Sequence, residues 1–418
     1  MSANPRPDTT APEPTTGWRI VISYATMAVL VTVAQLHPGQ WATNVASGAQ
    51  FGTELLGVLV GVHILTLLMQ LIAFTLSMHT GQNLIQLCRA HSPQALVRGL
   101  WVCGAIALIA SDVAAILAMA LAGQLLFGWT ISTGVIVAGA VAVGVWHMHG
   151  RARSWLSVGL LIAICVGMAY LFTKTQVTTT VLRSSISGIP IFWHDPNARQ
   201  LALAVVGATT LPHTISLTAS YMSHTLGAAL RPHTWRWHIA TIMLALGCAG
   251  VISVASMLIS ASAFHGTAYQ DITSIAQAYA LLLPVTGTIA SGFVLGFVVL
   301  ATALVALMTN ARARQVTWDS FFATRNGRWS RRWYGIGMTI VPTWIIAYWY
   351  ADTDPSPIII QSHVLLLIPL IGTSIVLFLL AGNARYHGTP QTTWLRWGRW
   401  VMVAVGMALS GYLLWGIW

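Results

Sequence analysis

Two short stretches of this chain carry residue types that do chemistry. Around residue 37 it reads AVLVTVAQLHPGQWATNV, and from residue 201 it reads LALAVVGATTLPHTISLTASYM. Each sets a proline beside a histidine within an apolar run: His37-Pro38-Gly39-Gln40 in the first, Leu211-Pro212-His213 after Thr209-Thr210 in the second. Proline removes a helical N–H and clashes with the preceding turn, and glycine adds looseness. Broken helix at membrane depth is tolerated where it is buried in protein or lines a cavity. There it offers free carbonyls and half-helix ends able to hold an ion or a small polar solute. Imidazole adds ring nitrogens that suit zinc, copper, iron and nickel and that exchange a proton near neutral pH. A lone proline also kinks packed helices with no ligand involved; two breaks, each with a histidine, favour a site. A third candidate is Asp112, a carboxyl deep in an apolar run, where charge is costly and usually functional.

The elements that must position these groups are membrane spans. Of 418 residues, 56% are hydrophobic and 7% charged, against roughly a quarter charged in a soluble domain. Eleven apolar stretches of spanning length lie near 18–46, 51–77, 98–124, 129–148, 154–173, 200–222, 236–262, 280–308, 335–351, 358–382 and 397–418. With the N-terminus in the cytoplasm, 17 of the 20 Lys and Arg fall inside, and only Lys174, Arg183 and Arg199 fall outside. That asymmetry predicts a multi-pass protein of the cell (plasma) membrane with a cytoplasmic N-terminus. The net charge of +11 is accounted for by topology and does not call for nucleic acid. Residues 1–17, rich in Pro and Thr, read as a disordered cytoplasmic tail. No Walker loop, dinucleotide fingerprint or nucleophile elbow is present, so neither an ATP-driven pump nor an enzyme is expected. The breaks fall in spans one and six, the relation expected of two five-helix halves on one plan. These are 18–173 and 200–382, joined by an extracellular loop at 174–199 and followed by a connection and an eleventh helix at 383–418.

The segment HPGQWATNVASGAQFGTELL resembles the first-helix signature of the Nramp family of divalent-metal transporters, usually D-P-G-N followed by small residues. TGQNLIQLCRA, IASDVAAILAMALAGQLLFG, GATTLPHTISLTAS, RQVTWDSFF and RRWYGIGMTIVP resemble later segments of that family, and the likeness runs from about 20 to 385. The resemblance implies an all-α, LeuT-type inverted-repeat bundle of 5+5 helices plus one. It also implies proton-coupled import of a divalent ion such as manganese or ferrous iron, in a lipid bilayer, by a monomer with no bound cofactor.

In that family the ion is held by Asp and Asn on helix 1, a Met sulfur on helix 6 and nearby backbone carbonyls. Matched by position, His37 stands for the Asp, Gln40 for the Asn and Leu211 for the Met, with Ala208 where a carbonyl contributes. His213 keeps its type, and Thr214 replaces the Asn after it. On helix 10 the residue approaching the ion is His363 or Gln361. The implied proton pathway holds Asp112 and His213, with Arg331 or Arg332 as partner of Asp112, while Ala115 replaces the family's Glu. The carboxylate and the thioether are both replaced, leaving a neutral, nitrogen-rich set. A protein with such a set either transports metal through altered ligands or has lost metal binding and moves another small solute on the same architecture.

Overall fold

The computed structural model describes residues 17–148, 150–175, 177, 195–225, 234–272, 274–322 and 354–382, with short pieces at 336–337, 341–343, 345, 349, 397–401, 404–405 and 408. The regular structure among them is helical. In chain order the helices are α1 (Gly17–Gln35), α2 (Pro38–Phe51), α3 (Leu56–Thr80), α4 (Leu84–His91), α5 (Gln94–Phe127), α6 (Ile131–His147) and α7 (Gly150–Lys174). There follow α8 (Pro196–Thr209), α9 (Pro212–Thr225), α10 (Thr234–Phe264), α11 (Ile275–Thr286), α12 (Ile289–Phe322), α13 (Ser356–Leu365) and α14 (Leu367–Ala381).

Seven described stretches are long and apolar enough to cross a membrane, or eight when α1 and α2 count as one span bent by 57°. Ile64, Ile162, Val166, Leu244 and Val251 are exposed on the flanks of α3, α7 and α10. Apolar outer flanks on helices of this length suit hydrocarbon, where only internally hydrogen-bonded backbone is stable. Expected spans nine and eleven fall largely outside the described residues, as do most of the expected tail and of the loop at 174–199.

One expected span is corrected. The apolar stretch near 280–308 is not a single helix: Gly287, at φ 69°, ends α11 in the left-handed conformation that glycine adopts readily. A new helix, α12, starts at Ile289 and continues to Phe322, well past residue 308. This extension carries Asn310 and Arg314 into the protein interior, where both are buried.

The breaks follow from local chemistry. Pro38 lacks the N–H that would bond the Ala34 carbonyl, and the residue before a proline is driven to extended backbone. His37 accordingly sits at φ −122°, ψ 143°, and opens α2 as its N-cap. Pro212 does the same for α9, leaving Thr210 and Leu211 non-helical between α8 and α9. Here the halves still form one 26-residue span, Pro196–Tyr221. Pro369 has a like effect on the bond to Leu365, and the chain turns at Leu366 between α13 and α14.

Small residues set the packing. Ala114, Ala115, Ala118, Ala120 and Ala122 line the buried middle of α5, which lets neighbouring helices approach closely. α12 lies along α5, α10 lies along α2, and α13 touches α2, α5 and α8. α13 thus sits between the two broken spans.

Candidate functional site

Three histidines from three separate segments meet at the breaks. His37 and His363 have ring centroids 5.5 Å apart, and His37 and His213 are 6.4 Å apart, each pair edge to face. His37 and His363 are fully buried, and His213 is 7% exposed. Two glycines make this approach possible. A Cβ on Gly39 would lie 1.9 Å from Cε1 of His363, and one on Gly207 would lie 1.9 Å from the His363 carbonyl oxygen. The α13 backbone and the His363 ring therefore press against bare main chain at both broken spans.

The hydrogen bonds of these rings are few. His363 Nδ1 lies 2.7 Å from the Ile359 carbonyl oxygen. A carbonyl only accepts, so Nδ1 carries the proton and Nε2 is left as a lone pair. That Nε2, His37 Nδ1 and Gln40 Nε2 are buried with no hydrogen-bond partner among the described residues, and neither His213 nitrogen makes a hydrogen bond of normal geometry. Most buried polar atoms in native proteins are paired, so this concentration of unmet nitrogens marks a place built for something else. Among the described residues no group of three or more His, Cys, Asp or Glu is close enough to hold a metal ion. The rings surround the break without converging on one point.

From His37 a buried polar chain leads to a charge pair. Ser111 Oγ lies 2.8 Å from His37 Nε2 and within 3.1 Å of both amide atoms of Asn310. Asn310 Nδ2 donates to Asp112 Oδ1 at 3.0 Å, and Arg314 pairs with Asp112 Oδ2. Asp112 is 1% exposed and Arg314 4%. The expected partners Arg331 and Arg332 lie outside the described residues. The partner seen is Arg314, which by sequence counts among the cations beyond span eight; α12 outruns its apolar stretch and carries it inward.

The other expected residues are placed as follows. Gln40, Ala208, Leu211 and Thr214 are buried at the breaks. Leu211 packs with Ala107, Ala110 and Leu366, an apolar side chain at the position where the family pattern has Met. Thr214 accepts from Gln35 Nε2 at 3.0 Å and donates to the Leu211 carbonyl, so it ties α1 to α9. Thr66 on α3 meets Thr210 at 2.8 Å and braces the second break. Gln361 is not brought to the site. It is exposed, because two residues along a helix is about 200° around it, and His363 takes the inward position. A void of about 100 Å³ opens from Pro212 and His213 and is walled by Trp101, Leu108, Phe321 and Val376. Ser111, Asn310 and Arg314 are the site residues that sequence reasoning missed. Asn310 and Arg314 carried a signal in their i, i+4 spacing, which puts them on one helix face, and Ser111 carried none.

A family model described as natural resistance-associated macrophage protein-like (Nramp) matches residues 28–416. The chain is 28% identical over 407 residues to a divalent metal cation transporter MntH of Xanthomonas campestris pv. campestris, covering 95% of this chain and 91% of that one. It is 29% identical over 411 residues to the MntH of a Nostoc species, with the same shares covered. Among solved structures it is similar to a manganese transporter of Eremococcus coleocola, with TM-score 0.76 at 19% identity over 97% of this chain and 96% of that one. It is also similar to Mhp1, a nucleobase-cation-symport-1 family transporter in a closed conformation, with TM-score 0.61 at 13% identity over 94% and 92%. These likenesses give the fold: an all-α membrane bundle of the LeuT type.

Proposed function

Because the chain belongs to the Nramp family of membrane transporters, which are not enzymes, we propose that it carries a divalent transition-metal cation across the plasma membrane together with protons. The cation is taken up at the two breaks, through ring nitrogens of His37, His213 and His363, the Gln40 amide and carbonyls freed near Ala208. The observation that carries this reading is the buried lone pair of His363 Nε2, fixed as an acceptor by the bond from Nδ1 to Ile359. An acceptor with no donor among the described residues, beside the unmet Nδ1 of His37 and the His213 ring, is complementary to a cation. The rings do not form a closed shell, so the amide and main-chain oxygens complete it.

Alternating access around this site, with repeats 18–173 and 200–382 moving against each other, supplies transport. The cytoplasmic N-terminus rests on the arginine distribution. A monomer is the working unit. Asp112 and His213 are the proton carriers, with Arg314 beside Asp112.

Calorimetry on the purified protein tests this with manganese, cobalt, nickel, zinc and magnesium. Wild type is expected to bind at least one transition-metal ion. His37→Ala and His363→Ala are each expected to weaken binding by about 100-fold or more, since loss of outer partners of a ligand alone costs 10–100-fold. Binding is also expected to weaken as pH falls, because a protonated ring has no lone pair left to give. A wild type silent to every ion yet stabilised by a small organic solute overturns the proposal.

A further inference from the structure

We infer that Ser111 and Asn310 are positioning residues that hold His37 as the Nε2–H tautomer, turning its Nδ1 into a second cation-facing lone pair. The inference rests on the metal-cation reading for its purpose, although its geometry stands independently. The chain to be assigned runs His37 Nε2, Ser111 Oγ, Asn310, Asp112, Arg314, and every member is buried.

The far end sets the direction. Asp112 beside an arginine is a carboxylate and only accepts, so one Nδ2–H of Asn310 goes to its Oδ1. This orients the amide and leaves its oxygen, Oδ1, 3.1 Å from the Ser111 hydroxyl. A serine hydroxyl has one proton. If it is given to Asn310, Ser111 Oγ accepts from His37 Nε2–H and from the second Nδ2–H of Asn310, and the donors of these three side chains on the path are met.

The opposite assignment sends the second Nδ2–H of Asn310 to Ser111 at 2.9 Å and the serine proton to His37 Nε2. Asn310 Oδ1 then loses the serine proton, and His37 Nδ1–H becomes a buried donor with no acceptor among the described residues. An unmet buried donor is costly, and the first assignment leaves none at His37. What it leaves is the Nδ1 lone pair.

The chemical consequence is selectivity by charge. His37 Nδ1 and His363 Nε2 are then both acceptors on rings 5.5 Å apart. Two neighbouring acceptors repel an anion or a carbonyl-rich solute and suit a cation with affinity for imidazole nitrogen. The carboxylate at the end of the chain also polarises the His37 Nε2–H and raises the basicity of the ligating nitrogen, as a carboxylate behind a metal-bound histidine does. Arg314 holds that carboxylate in place from its other oxygen.

The test uses full-length protein in lipid nanodiscs with ¹⁵N-labelled histidine, the His37 signals being assigned by their loss in His37→Asn. Metal-free wild type is expected to show the proton on Nε2, and Ser111→Ala to lose that preference. With cobalt(II) alone as probe, Ser111→Ala and Asn310→Ala are expected to bind about 10–100-fold more weakly. Ser111→Thr, which keeps the hydroxyl, is expected to restore both tautomer and affinity. A His37 proton on Nδ1 in wild type, or wild-type cobalt affinity in both alanine variants, overturns the inference. If wild type binds no metal while its proton sits on Nε2, the functional reading falls and the tautomer assignment stands.

Discussion

Arg314→Met is expected to destabilise the bundle by about 3–5 kcal/mol, the cost of stranding one member of a buried ion pair. Asp112 and Arg314 are 1% and 4% exposed, so water does not reach the charge that remains. Asp112→Asn takes from the arginine its carboxylate on α5 and is expected to destabilise the bundle as well. The double variant Asp112→Asn/Arg314→Met leaves no unpaired charge and is expected to recover most of the loss, since exchanging both members of such a pair for neutral groups is often close to neutral. Thermal unfolding in detergent, followed by tryptophan fluorescence, gives the four stabilities. Strict additivity, with the double variant as weak as the two losses summed, sinks the claim that these residues act as a pair. The same cycle separates stability from transport. Recovered folding with uptake still lost assigns the pair to the proton and metal chemistry, and recovered uptake makes it structural.

Why Arg314 was not seen from sequence alone has a physical reason. A hydropathy window closes a span at its first cluster of polar residues, and near residue 310 it meets Asn310, Arg312 and Arg314 within five positions. The helix runs on because Asn310 and Arg314 sit one turn apart on the face toward α5, where Asp112 and Ser111 meet them. Ser111 was hidden for another reason: a serine beside an aspartate in an alanine-rich helix carries no signature of its own. The breaks were legible because each proline stands beside a histidine in an apolar run, and His37, Pro38, Pro212 and His213 all lie at them, whereas Pro284, with no such neighbour, sits inside α11. On helix 10 two candidates stood two residues apart, and only the rotation of α13 separates buried His363 from exposed Gln361. The family likeness gave the bundle; it did not give the ligands, because the positions that matter most are those where this chain departs from the pattern.

Gly39→Ala is expected to abolish metal binding while leaving a folded protein. The added methyl would sit 1.9 Å from Cε1 and 2.2 Å from both nitrogens of the His363 ring, far inside any real contact. Gly39 lies in the first turn of α2 with no positive φ, so alanine suits the backbone and the conflict is with the ring alone. The ring must swing away, which breaks its bond to the Ile359 carbonyl and removes the Nε2 lone pair from the site. Stability is expected to fall by about 1–3 kcal/mol, the usual cost of overpacking. Cobalt affinity, measured by calorimetry, is expected to fall about 100-fold or more, as for His363→Ala. Adding His363→Ala to Gly39→Ala removes the clash and is expected to restore stability without restoring binding. Gly207→Ala makes the opposite case: its Cβ would meet the His363 carbonyl oxygen at 1.9 Å, and a backbone atom cannot swing aside. Its stability loss is expected to exceed that of Gly39→Ala and to persist when His363→Ala is added. Gly57→Ala, with open space around the new methyl, is expected to change neither quantity. Full cobalt affinity in Gly39→Ala would show that the His363 ring at the first break is not part of the ion's surroundings.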